Sequence, residues 1–501
     1  MNSSSLTFLL NSHIKLEWCL IQRALCNAYR CRNHDGTYIG CSTYSTRYFH
    51  ESDRREQGQK DGVDLLSPQE VTSILRKHEF QKEFTSGSVK SYDSNRLASN
   101  DPIEDTRCEA ECNQTPGLLV GVFDGHGGPA CAQIVSKRLM NYIAATLLPS
   151  SKLKEYVKQE SPADLITTFN DTVELVEDLK LTYNKSLQKY LYELAEDTSG
   201  NSDVRASLEK AILRLDADIA NEVVEPFKQT GKVNSKTLAV ALSGAVAVVC
   251  HIDGPHLFVA NVGDCNAVIG SKTDDDSGWT AKKITVEHNS ENYDEVKRIF
   301  AEHPQSERTT VIRRDRLLGE LAPLRSLGDY RYKWPAEVLT QVAVPLYGEK
   351  AIPHNYHTPP YLSAVPDIYY RRITPKDKFM IIASDGLWDM LTPLQSVKLV
   401  GQHMQGKVFF NPLKLPHKNI QLGDINDLLI HRKASLKSKP KDRNAATHLI
   451  RHAIGGTEYG VDHSRLAHLL SLAPDVSRMF RDDMTVTVLY FDSEFLRQCP
   501  A

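Results

Sequence analysis

The chain has 501 residues, of which 60 are basic and 63 acidic, for a formal net charge of −3. That balance gives no global field to recruit nucleic acid. The longest apolar stretch, Leu238 to Cys250, is broken at Ser243-Gly244 and is too short to span a bilayer. Ten cysteines with no pair of Cys-x-x-Cys units support neither a structural zinc site nor a disulfide framework, which favours a reducing compartment.

In chain order, the first fifty residues carry Lys15, Arg23, Arg30, Arg32 and Arg47 against only Glu17 and Asp35, and Trp18 to Leu25 suits a basic amphipathic helix. Basic, serine-bearing and acid-poor is the composition of an organellar transit peptide, so residues 1–70 read as transit peptide and flexible arm. The alternative is an untargeted arm. The pattern turns globular from about Pro68, beginning with a short helix through Glu70 to Leu75, and one domain spans residues 71–495. Leu118-Leu-Val-Gly-Val-Phe123 is a buried strand, and Gln133 to Leu148 has apolar residues at helical spacing. Residues 151–235 form a helix-rich insertion. Strands then crowd together at Thr237 to Ile252, His256 to Val262 and Asn266 to Ile269, with Ser271 to Gly278 as a hairpin tip. Lys378 to Ala383 and Met484 to Phe491 are two further strands. Between them residues 392–446 form a variable insertion poor in strand pattern, with a basic stretch from Lys433 to Lys441. It reads as a solvated loop, or alternatively as a docking element for an acidic partner. Non-crossover strands with interleaved helices predict an α+β fold, with antiparallel sheets covered by helices.

Three of these strands carry an acid at one end: Asp124 in Asp124-Gly-His-Gly-Gly128, Asp385 in Ser384-Asp-Gly386, and Asp482 in Arg481-Asp-Asp483. Glu104-Asp105 precedes the first. Each motif alone has a bland reading, since Asp-Gly is most often a turn and a lone histidine most often a core or surface residue. Their co-occurrence at strand ends points instead to hard divalent cations, magnesium or manganese, held by oxygen ligands. Asp124 is the expected bridging ligand and Gly125 a carbonyl ligand; Asp385 and Asp482 complete one ion, and Glu104 and Asp105 hold waters of the other. Two such ions make hydroxide available near neutral pH for in-line attack on a phosphate ester. His126 is the expected general acid for the departing alkoxide.

Five motifs in register carry a resemblance: Asp124 to Gly128, Ala260-Asn-Val-Gly-Asp264, Leu321 to Asp329, Ala383-Ser-Asp-Gly-Leu-Trp388, and Arg481-Asp-Asp-Met-Thr-Val486. Over roughly residues 75 to 492 the chain resembles the metal-dependent protein phosphatases of type 2C. Asn100 to Asp105, His288 to Asn292, Tyr356 to Tyr361 and Asn444 to His452 are most similar to the pyruvate dehydrogenase phosphatase branch. The resemblance implies a central β-sandwich flanked by helices, with metal ligation by Asp124, Gly125, Asp385 and Asp482. It implies that Asp264 matches a third, weaker metal position and that Asp329 is structural. Many members carry a phosphate-gripping arginine where this chain has Asn100, which leaves Asn100 as a weaker phosphate-binding residue; Arg96 is out of register. By resemblance the substrate is phosphoserine on the pyruvate dehydrogenase E1 α subunit, in the mitochondrial matrix, with the E2 lipoyl domain as partner. The resemblance leaves room for calcium at that interface and for a regulatory subunit. The alternatives are a type 2C phosphatase with another phosphoprotein substrate and a pseudophosphatase scaffold; the latter is expected to have lost a metal ligand, and none is lost here.

Overall fold

A computed structural model describes residues 65–500 except 160–162, 172, 174, 198–202, 276–277, 408–422, 424, 427–428, 431–440 and 458–459. The expected transit segment and the stretch Lys433 to Pro440 lie outside the described residues.

The strands that build the molecule are β1 (Phe80–Glu83), β2 (Val89–Leu97), β3 (Thr106–Cys112), β4 (Leu118–His126), β5 (Ile166–Thr168), β6 (Gly244–Asp253) and β7 (His256–Val262). They continue with β8 (Asn266–Lys272), β9 (Trp279–Lys283), β10 (Leu327–Gly328), β11 (Asp367–Arg372), β12 (Asp377–Ala383) and β13 (Met484–Phe491). One sheet has the order β1-β2-β13-β12-β8-β9, and the other β11-β7-β6-β4-β3-β5 with β10 added beside β6. All of these ladders are antiparallel.

The two sheets pack face to face. Val120 and Val122 of β4, Val248 and Cys250 of β6, Met380 and Ile382 of β12, and Leu489 of β13 share one buried cluster. Alternate residues point the other way, as the two-residue period of a strand requires. Leu119, Phe123, Ala247 and Val249 face helices α1 (Ala130–Leu147), α2 (Glu177–Glu196), α3 (Val204–Thr230) and α4 (Ser235–Leu242). Phe379, Ile381, Val486 and Val488 face α5 (Pro393–Lys407), α6 (Ala445–Gly455) and α7 (His463–Leu470). Both faces of each central strand are therefore buried, which is why those strands read as unbroken apolar runs. A smaller cluster of Ile299, Val311, Leu317, Leu318, Leu321, Leu324, Tyr332, Tyr361 and Leu362 organises a lobe between β9 and β11.

Two local expectations need correction. Thr237 to Leu242 is helical, and the strand begins at Gly244. Asn234 caps that helix through a hydrogen bond accepted from Lys236 N, while Leu238 and Ala241 turn inward at helical spacing. A short apolar run fits helix and strand equally by pattern. The start of the 392–446 insertion is likewise not a loop, because Pro393–Lys407 is helical and buries Val397 and Val400 against the six-stranded sheet. The expected hairpin pairing is present, β8 lying antiparallel to β9 with Lys272 opposite Trp279.

Candidate active site

Strand register brings the expected residues to one edge of the sandwich. Thr106 pairs with Phe123, so Asp105 leaves β3 beside Asp124 on β4. Ala383 pairs with Val486, so Asp385, just past β12, emerges beside Asp482 and Asp483, just before β13. Ser384 Oγ ties the two sheets at this edge, donating to Asp105 Oδ2 at 2.7 Å and accepting from Thr485 N at 3.0 Å. Close backbone approach is also required. A Cβ on Gly386 would collide with the Asp483 carbonyl, and one on Gly125 would lie 2.6 Å from the Glu104 carbonyl.

The carboxylates form a strained electrostatic group. Burial, then the charges of Asp105, Asp385, Asp264 and Asp482, push the Asp124 carboxyl well above its ordinary range. Burial, then Asp264 and Asp482, do the same to Asp385. Asp105 is only 2% exposed, and burial together with Asp483 pushes it up to about 8. Asp264 rises to about 6 through burial, against the opposing pull of His126. Asp482 stands at the exposed rim and is raised by desolvation and by Asp483. Glu104 is raised by burial, and its Oε1 accepts from Gly128 N at 2.6 Å.

Such a group fits a hard cation. Its donors are all oxygens, mutual repulsion opposes their ionisation, and Asp385 Oδ1 is buried with no hydrogen-bond partner. Among the described residues no three His, Cys, Asp or Glu side chains close on a common point.

His126 follows Asp124 by two residues on β4, so both side chains leave the same side of the strand. Its Nε2 lies 2.5 Å from Asp329 Oδ2, and Ser326 Oγ donates to that same oxygen at 2.6 Å. Burial alone would lower the His126 pKa, but the charge and hydrogen bond of Asp329 outweigh it, and the net shift is upward. Gly244 makes room for this pair, since a Cβ there would collide with both the imidazole and the carboxylate.

Asn100, expected at the phosphate, turns its amide toward the two neighbouring acids. Nδ2 donates to Asp483 Oδ2 at 3.1 Å and approaches Asp482 Oδ1 at 3.4 Å. The residue that sequence reasoning missed is Asp483. Its Oδ1 accepts from the backbone N–H groups of Ser99 at 2.5 Å and Asn100 at 2.8 Å, and its Oδ2 accepts from that of Glu104 at 2.8 Å. One buried carboxylate thus pins the loop that delivers Glu104 and Asp105. The only hint was its place beside Asp482 before a strand, where alternation sends neighbours to opposite sides.

Comparison with known proteins gives one family. Residues 178–422 match the family model Protein phosphatase 2C. The chain is 41% identical over 474 residues to the mitochondrial pyruvate dehydrogenase (acetyl-transferring) phosphatase 1 of Pongo abelii, covering 89% of this chain and 87% of that one. It is 42% identical over 456 residues to phosphatase 1 of Homo sapiens, covering 85% and 83%. To the human mitochondrial phosphatase 2 it is 38% identical over 507 residues, covering 96% of this chain and 92% of the relative. Identity of that extent across nearly the whole of both chains, together with the helix-flanked antiparallel sandwich, shows that the chain belongs to the protein phosphatase 2C family.

Proposed function

We propose that this enzyme is a mitochondrial, metal-dependent protein serine phosphatase that dephosphorylates the E1 α subunit of pyruvate dehydrogenase in the matrix and so reactivates the complex. The observation that carries the chemistry is that Asp124, Asp385 and Asp482 lie along one edge of the sandwich, close enough for the charges of the last two to raise the first, beside a histidine clamped by Asp329. What supports the substrate is the similarity to the two named pyruvate dehydrogenase phosphatases along nearly their whole length.

Asp124, the Gly125 carbonyl, Asp385 and Asp482 would hold the ions, with Asp105 and Glu104 fixing coordinated waters. Bound magnesium or manganese supplies hydroxide near neutral pH and screens the charge of the phosphate. The remaining work belongs to the chain. His126, whose pKa Asp329 raises against the opposing effect of burial, gives its proton to the departing serine Oγ. With Nε2 committed to Asp329, the proton leaves from Nδ1. Asp483 and Ser384 hold the Glu104–Asp105 turn and the β12 exit in place, so the carboxylates need not reorganise on binding. Asn100 orients Asp482 and contributes to phosphate binding less than an arginine would. The E2 lipoyl domain is the proposed anchor, with the 392–446 segment as its dock, an interface that leaves room for calcium and for a regulatory subunit. Anchoring would raise the local concentration of phosphorylated E1 without any new catalytic contact. The test is phosphate release from phosphorylated E1, with and without E2, for the intact chain and one shortened in 408–440. Failure to hydrolyse phospho-E1 overturns the substrate, and undiminished E2 acceleration in the shortened chain excludes that dock.

A further inference from the structure

The lobe between β9 and β11 carries a hairpin unlike the rest of the surface. Ile312 pairs with Leu317 and Arg313 with Arg316, leaving Arg314-Asp315 as a two-residue turn with both φ angles positive, at 52° and 59°. Turns of this kind favour Asn-Gly, because L side chains rarely adopt that backbone region. Here an arginine and an aspartate occupy it. Beside them lies a cleft of about 420 Å³ lined by Arg313, Arg314, Leu318, Gly319, Glu320, His354 and Asn355. Leu318 (φ 51°), Gly319 (φ 77°) and Asn355 (φ 60°) share the left-handed conformation, so four of the residues around one cleft hold it. For the non-glycine residues among them this conformation persists only where the surroundings over-determine it, and such residues cluster at ligand-binding and active sites.

The surroundings are rigid. Val311, Leu317 and Leu318 are buried in the lobe's apolar cluster, and Leu318 N donates to the Val311 carbonyl at 2.7 Å. With that side of the hairpin anchored, Arg313, Arg314 and Arg316 are exposed. Arg313 and Arg314 make no ion pair among the described residues. The one acid lining the cleft, Glu320, is already neutralised by Arg331 Nη1 at 2.5 Å and also accepts from Tyr332 Oη. The cleft is therefore net cationic. Its lobe also adjoins the active site, because the chain leaving Leu324 of the apolar cluster runs directly into Ser326 and Asp329, which hold His126.

We propose that the 312–317 hairpin and its cleft are a docking surface for an acidic segment of the phosphoprotein substrate, outside the segment that carries the phosphoserine. The proposal rests on the phosphatase reading of the site but not on the identity of the substrate. Two free guanidiniums on a rigid turn present planar donors to carboxylates without losing much side-chain freedom on binding. Carried on the lobe whose chain runs into the His126 clamp, they would lower KM for acidic substrates and leave the chemical step untouched.

The test compares two synthetic phosphoserine peptides, one with a glutamate tract some residues from the phosphoserine and one with alanines in its place. The enzyme variant is Arg313→Ser with Arg314→Asn, since asparagine tolerates the left-handed turn; Arg313→Glu with Arg314→Asp is the charge-reversed second. The wild type is expected to favour the acidic peptide by about tenfold or more in kcat/KM, through KM, at low ionic strength. Both variants should abolish that preference, keep kcat and keep aryl phosphate hydrolysis within about twofold, and the difference should close in high salt. A wild type indifferent to the glutamates, or variants that keep the preference, would overturn the proposal. Turnover of these peptides without turnover of phosphorylated E1 would overturn the substrate assignment and leave the dock standing.

Discussion

Neighbouring acids Asp482 and Asp483 should respond oppositely to the same substitution. Asp483 is 2% exposed and receives four hydrogen bonds, three of them from backbone N–H groups of the 99–104 loop. In Asp483→Asn an amide replaces one carboxylate oxygen, so whichever oxygen is replaced, two donors lose their acceptor and face another donor. At about 1–2 kcal/mol for each part-buried group left unpaired, the loss is about 2–4 kcal/mol. Asp482 is exposed, and its Oδ1 accepts only from Asp483 N at 2.7 Å and weakly from Asn100, bonds that asparagine retains. Its neutralisation also relieves repulsion with Asp385. Asp482→Asn should therefore change stability by no more than about 0.5 kcal/mol. As a proposed ligand, however, its loss should cut manganese-supported turnover of an aryl phosphate on the order of 10²-fold or more. Urea unfolding of the metal-free proteins, followed by tryptophan fluorescence, gives the first comparison and aryl phosphate turnover the second. Equal destabilisation by the two variants, or wild-type turnover in Asp482→Asn, would refute the reasoning.

His126→Gln should slow phosphoserine hydrolysis by on the order of 10²–10⁴-fold and aryl phosphate far less, because an aryl leaving group needs little protonation; equal losses would count against a general acid. Asp329→Asn removes the charge that raises the His126 pKa, so the alkaline limb of the pH–rate profile should move to lower pH. The same raised pKa makes the His126–Asp329 pair stabilising at acid pH, and that contribution fades as pH rises past the folded value. The carboxylates work in the same sense: between about pH 4 and 8 the metal-free native state holds protons that the unfolded chain releases, so its stability falls as pH rises. Divalent cations must displace those protons, so the thermal shift with manganese should grow from about pH 6 to pH 8, and a shift that shrinks would contradict the site. His448 is buried on α6 beside His403 and His452, and burial holds its pKa down to about 2. Below about pH 6.5 the unfolded chain takes up a proton that the native state refuses, costing the wild type about 1.4 kcal/mol per pH unit. His448→Leu should flatten that acid limb in urea titrations.

The sandwich was legible because its central strands are buried on both faces and therefore apolar throughout, as in Leu118 to Phe123 and Lys378 to Ala383. The acids at their ends were legible because a carboxylate closing an apolar run is chemically out of place. What was not legible depends on partners remote in sequence. Asp483 has its role only because β13 lies beside β2, which brings the 99–104 loop to it. Ser384 is one more serine until the edges of two sheets meet. Thr237 to Leu242 was misread because a six-residue apolar run carries no period of its own, and only the Asn234 cap distinguishes it. The direction of the Asn100 amide, toward Asp483 and Asp482, is not legible either, because sequence gives position but not direction.

The proposed reaction is hydrolysis of phosphoserine on the pyruvate dehydrogenase E1 α subunit by a carboxylate-held metal site. Phosphate release from phosphorylated E1 by the purified enzyme, measured with magnesium or manganese, after exhaustive chelation, and for Asp124→Asn, tests it most directly. Release is expected to need the cation, to be restored on its return, and to be abolished in Asp124→Asn, while an unrelated phosphoprotein is turned over more slowly. Release that survives chelation, persists in Asp124→Asn, or is no faster on E1 than on the unrelated phosphoprotein would contradict it.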